Sequence, residues 1–260
     1  MTDSVTFITQ CNESSSRWRR YGCTWLLLLL ACVHVQADES AELDDATARM
    51  QYAYYTRDER ALRAGLSDVE RMSVPDAEQV WREYQLGLAY WRLAELSSSG
   101  PASARVRILS RCEEHLDAAI HLRPALTEAK AVRGLCAVER GGARASKHAC
   151  SDQTDIAKAF ELAPRNPRVL YVQAVCALQE GDPSRALEHA QRAAAAFEQA
   201  PLEAEEHSNW GQAETCVLLA RLLLKQGDRA AARDRVEQAL VLAPDYVAAR
   251  ELLSQIAAGK

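Results

Sequence analysis

Small residues recur along this chain at a spacing of about forty. Gly87, Gly134, Ala174 and Ala220 lie 47, 40 and 46 residues apart, each inside a stretch with apolar residues at helical spacing. After each comes a second such stretch: Cys112, Leu116 and Ala119; then Ile156 and Ala159; then Ala186, Ala190 and Ala193; then Ala232, Val236 and Ala239. Pro124, Pro164 and Pro244 close three of these second stretches, and Gly181-Asp182 and Gly227-Asp228 join the two halves of the last two units. Antiparallel helices approach closely only where a small residue sits at the crossing. Gly-Asp permits a tight turn between them, and proline cannot continue the second helix. A repeat of this length predicts an array of helical hairpins, none of which can bury its apolar face without its neighbours.

Composition agrees with an all-α reading. Glycine and proline are sparse at 11 and 8, Ala, Leu, Glu and Arg abound, and no stretch is dense in Val, Ile and Thr. With 48% hydrophobic and 26% charged residues, the chain has the balance of a folded protein, not of a disordered one. Its formal charge is −5, and without residues 1–37, which carry three Arg against two acidic residues, it is −6. No basic stripe of the kind nucleic acid requires is present.

The residues Glu83-Tyr84-Gln85-Leu86-Gly87-Leu88-Ala89-Tyr90 carry the Leu-Gly-x-x-Tyr spacing of a tetratricopeptide repeat, with Glu83 where that family usually has Trp. The intervals exceed the family's period of about 34 residues. The excess falls on three stretches that read as surface insertions: one beginning at residues 97–101, one at 141–148 and one at 201–209. Asn166-Pro167-Arg168-Val169 and Trp210-Gly211-Gln212-Ala213-Glu214 further resemble segments of a group of bacterial exported tetratricopeptide-repeat proteins. That resemblance spans most of residues 45–255 and implies the fold without implying an activity. The predicted architecture is an all-α, tetratricopeptide-like helical-hairpin solenoid of four to five hairpins plus a C-terminal capping helix. The array occupies residues 77–260, with the capping helix at 247–258. A degenerate helical pair containing Tyr52, Tyr54, Tyr55, Leu62 and Leu66 precedes it at 38–76.

Ahead of the array, Arg17, Arg19 and Arg20 precede an apolar run from Cys23 to Val35. At roughly a dozen residues the run is too short to span a bilayer, which needs about 20. It fits a secretory signal covering residues 1–37, with small side chains at Val35 and Ala37 and a mature start at Asp38. Leu29-Leu30-Ala31-Cys32 offers the alternative of a lipobox, with Cys32 lipidated. The expected address is therefore export to a periplasm, or else a membrane-anchored lipoprotein. Membrane contact is expected only through the signal or that anchor.

Counting from the crossing residues, the first helix of each hairpin turns a definite set of side chains toward the concave surface. They are Trp81, Tyr84, Leu88, Trp91 and Arg92; then Glu128, Ala131, Leu135 and Glu139; then Arg168, Tyr171, Val175 and Gln179; then Glu214, Val217, Arg221 and Lys225. Trp81, Tyr84 and Trp91 beside Arg92 have the composition of a binding anchor. The competing reading packs the two indoles on the N-terminal hairpin. The expected partner is a protein or peptide held in this groove by apolar contacts. The expected function is an exported interaction scaffold, with a lipid-anchored structural component of an envelope assembly as the alternative.

Five of the eight cysteines, Cys112, Cys136, Cys150, Cys176 and Cys216, lie beyond the signal. They read as buried thiols, with Cys136–Cys150 or Cys112–Cys136 as the bridges an oxidising compartment would allow. His148, Cys150 and Asp152 lack the doubled ligand spacing of a zinc site. The sequence carries no phosphate loop, paired-His motif or nucleophile elbow. No cofactor, metal or catalytic residue is expected, and a metal- or thiol-dependent enzyme is the distant alternative.

Overall fold

The computed structural model describes residues 41–142, 148–199 and 209–259. The chain divides into two units, residues 1–42 and 43–260. The signal, Cys32 and the mature start at Asp38 lie outside the described residues.

The described residues form eleven helices and no strand. They are α1 (residues 41–55), α2 (Glu59–Arg71), α3 (Gln79–Leu96), α4 (Ala102–Leu122), α5 (Thr127–Gly141), α6 (Thr154–Leu162), α7 (Pro167–Gln179), α8 (Pro183–Gln199), α9 (Gln212–Lys225), α10 (Arg229–Leu242) and α11 (Val247–Ala257). None is long and apolar enough to cross a membrane. Consecutive helices pair into hairpins and each hairpin packs on the next, with α11 against α9 and α10. This is a tetratricopeptide-like solenoid.

Local chemistry places the boundaries. Asp58 and Asp228 cap α2 and α10 by accepting from Ala61 N and Ala231 N. Asn166 accepts from Arg168 N and Val169 N, and Pro167 takes the first position of α7, where its missing N–H costs nothing. Gly181 and Gly227 turn the chain with φ of 79° and 85°. At the first crossing, a Cβ on Gly87 would lie 2.5 Å from Leu116 Cγ, so α3 and α4 could not approach this closely with any larger residue. Ala174, Ala186, Ala220 and Ala232 sit fully buried at the later crossings.

The insertions differ from expectation. Residues 97–101 are only a short turn, and the extra length of the first unit lies in the helices, 18 residues in α3 and 21 in α4. Of the other two stretches, residues 143–147 and 201–208 lie outside the described residues.

The cysteines form two bridges. Cys112 on α4 is joined to Cys136 on α5, and Cys150, just ahead of α6, is joined to Cys176 on α7. The expectation of buried thiols is corrected for these four, and the Cys136–Cys150 pairing is replaced. Cys136 faces back toward α4 of the preceding hairpin, where it meets Cys112. Cys216 alone is a free thiol among the described residues, and burial pushes its pKa up to about 11.

A filled concave face and the cleft at its rim

The first helices carry the side chains predicted to line the groove, and the structure brings most of them together as an interior. Tyr84, Leu88, Trp91, Arg92, Glu128, Arg168 and Tyr171 are buried, and Trp81 is half-buried. Arg221 and Lys225, near the end of α9, are exposed. The open concave face expected from the sequence is therefore filled at these positions. The cause is closure of the array: α1 lies against both α3 and the C-terminal hairpin, and bulky aromatic side chains occupy the space between.

Trp91, Tyr171 and Trp210 form the centre, each pair edge to face with ring centroids 6.1–6.4 Å apart. Two charged networks flank it. In one, the Trp210 indole N–H donates to Tyr84 Oη at 2.6 Å, and Tyr84 donates to Glu128 Oε2 at 3.0 Å. Asn166 and Arg168 also donate to Glu128, and Arg168 Nε donates to the Trp210 carbonyl at 2.9 Å. Burial, reinforced by the neighbouring Glu128 charge, raises the Tyr84 phenol well above its ordinary range. Gly211, at φ 98°, lets the chain pass Phe197 and Arg168 where a Cβ would lie 2.9 Å from the Phe197 ring.

In the other network, Arg92 on α3 meets Glu214 on α9 at 2.9 Å, with both side chains buried. Tyr55 Oη at 3.2 Å and the Gly211 N–H at 2.9 Å complete the donors to Glu214. The Arg92 guanidinium also lies over the Tyr54 ring, 4.9 Å from its centroid.

Beside this interior, a cleft of about 590 Å³ opens where three successive first helices end. Glu95 and Ser98 come from the end of α3, Glu139 from α5, and Gln179 and Glu180 from the end of α7; Arg105 on α4 and Cys150 supply further wall. Glu139 ties the cleft to the aromatic centre, since the Trp91 indole N–H donates to it at 3.3 Å. Arg105 pairs with the same carboxylate, and Gln179 donates to it at 3.4 Å. Glu95 is half-buried and accepts from Tyr54 Oη at 3.0 Å. Burial, and then repulsion from Glu139, raise its pKa to about 7. Burial raises Glu139 as well. Glu180 goes the other way: burial opposes its ionisation, but the Ser151 N–H, the Ser151 hydroxyl and Arg185 hold its carboxyl below the usual range. The helix ends add the partial negative charge of their free carbonyls. With Arg105 on Glu139 and Arg185 on Glu180, Glu95 is the carboxyl left to meet an incoming cationic group.

Sequence reasoning placed Glu139 and Gln179 on this face and missed Glu95, Trp210, Tyr54, Tyr55 and Tyr246. The adjacent pair Tyr54-Tyr55 held a usable signal. Neighbours on a helix point about 100° apart, so two tyrosines in a row require two packing surfaces, here α3 and the C-terminal hairpin.

No family model and no curated protein matches the chain. Among solved structures it is similar to a chain of the crystal structure of the APC/C hetero-tetramer Cut9-Hcn1, at 15% identity and a TM-score of 0.48. That alignment covers 81% of this chain and 42% of the other, so the chain spans less than half the length of the structure it resembles.

Proposed function

We propose that the chain is an exported, non-catalytic scaffold that docks a segment of a partner protein in the cleft at the ends of α3, α5 and α7. The cleft itself carries this reading. At about 590 Å³ it can take one or two side chains of a docking segment, and it is built from equivalent ends of three repeats. Glu95, beside the paired Glu139–Arg105 and Glu180–Arg185, suits a segment presenting a lysine, an arginine or an α-amino group. Two bridges between neighbouring helices support export to an oxidising compartment.

Photo-cross-linking in cells from Ser98 and Gln179, with Glu188 on the outer face of α8 as control, tests the docking surface. One recurrent protein captured from both cleft positions and absent from the control is the expected result. Capture from neither position, with the chain abundant, would reject the cleft.

A further inference from the structure

The array closes on itself along a seam whose two sides lie far apart in sequence. On α1, Gln51 Nε2 donates to the Asn209 carbonyl at 2.8 Å and to Tyr55 Oη at 2.9 Å. Tyr55 packs on Tyr246 with ring centroids 4.6 Å apart and donates to Glu214. At the edges, Tyr52 Oη reaches Asp245 at 3.4 Å, and Arg57 pairs with Glu251 at 2.6 Å.

Two features set this seam apart from the stacking of consecutive hairpins. Its outer pairs are solvent-exposed, so each contributes about 0–1 kcal/mol. Its interior holds polar atoms without hydrogen-bond partners: Thr47 Oγ1 and Gln51 Oε1 on α1, and Arg92 Nε facing it from α3. Opening the seam would hydrate those atoms but would also part Arg92 from Glu214, so the open form gains its full set of contacts only where a second copy restores that pair. A solenoid opens by small rotations summed over its repeats, without unpacking any hairpin. An opened chain presents two surfaces already shown to fit each other, one at each end.

We propose that this seam also forms between copies. The α1 face of one chain docks on Tyr246, Glu251 and Glu214 of a second copy, and two chains close head to tail with two seams. Each chain then keeps every seam contact it makes alone, so protein concentration sets the balance between closed monomer and paired copies.

The test uses two full-length single variants, Tyr52→Cys and Asp245→Cys, one of them isotopically labelled. They are mixed in denaturant at acidic pH without reductant, so that thiol exchange is stopped and the native bridges persist. They are then refolded together and treated with a short bis-maleimide, since it is the Tyr52 hydroxyl and not its Cβ that reaches Asp245. A mixed-mass dimer cross-linked between positions 52 and 245 is expected, several-fold above the background of the unsubstituted chain and rising with protein concentration. The double variant should close within one chain at low concentration. If the double variant closes while the mixture yields no mixed dimer, the seam is intramolecular only and the proposal fails. It fails equally if neither cross-links, since the seam itself would then be wrong.

Discussion

Glu95 illustrates how much one side chain can report at this site. Its carboxyl sits where α3 ends, takes a hydrogen bond from Tyr54, and faces Glu139 across the cleft. In the folded chain it keeps its proton up to about pH 7, whereas in the unfolded chain it loses that proton near the ordinary carboxylate value of about 4.3. Between those values the folded state binds more protons. The stabilisation is therefore complete below the unfolded pKa and is lost as pH rises through the folded one. Thermal unfolding between pH 5 and pH 8 should show a falling midpoint that flattens in Glu95→Gln, a change of roughly 2 kcal/mol across the window. Glu139, raised in the same direction, should leave a smaller residual slope. An unchanged slope in the variant would remove Glu95 as its source. The Arg92–Glu214 pair obeys a different rule. It is desolvated, and the Glu214 carboxylate is satisfied by several donors, so its main energetic signature is the penalty for leaving one charge alone.

At the scale of helices, the small residues carried the prediction well. At Gly87 and Gly134 the residue across the crossing leaves no room even for a Cβ, and Ala174 and Ala220 are fully buried at theirs. Replacing Gly87 by Ala sets a gain in helix propensity of about 1 kcal/mol against a Cβ placed 2.5 Å from the Cγ of the fully buried Leu116. The clash should win by about 1–2 kcal/mol. Denaturant melts of Gly87→Ala should show this loss, and in a Leu116→Ala background, itself less stable, the same substitution should cost less than it does alone. A stabilised single variant would mean that α3 and α4 separate easily there. Loop lengths were less legible. Ser97-Ser98-Ser99-Gly100-Pro101 signals a turn but not the length of the helices on either side, so the excess assigned to a loop turned out to extend α3 and α4. Cys112–Cys136 was one of the two pairings the sequence offered, whereas Cys150–Cys176 was hidden for a related reason. Distance along the chain says little about which faces of neighbouring helices meet, and Cys136 looks back at α4 while Cys150 looks forward to α7.

For the molecule as a whole, closure is what the sequence could not display. The register of each first helix gives the direction of Trp91, Tyr171 and Glu214, but whether that direction leads to solvent depends on curvature summed over every repeat. Contacts such as Tyr55 with Glu214, 159 residues apart, decide it. A face predicted to bind a partner became an interior, and the open space moved to the helix ends at its rim. The two bridges add a property of another kind. They sit in the middle of the array, closing segments of 24 and 26 residues, while the α1–α2 pair and the helices after α8 carry none. Under a stretching force, such a chain should peel from its ends and retain a covalently looped middle that cannot be drawn out. Single-molecule pulling should give an oxidised chain roughly 160 Å shorter at full extension than a reduced one. A chain so arranged can yield at its ends under tension while α4 stays tied to α5, and Cys150 to α7, beside the cleft.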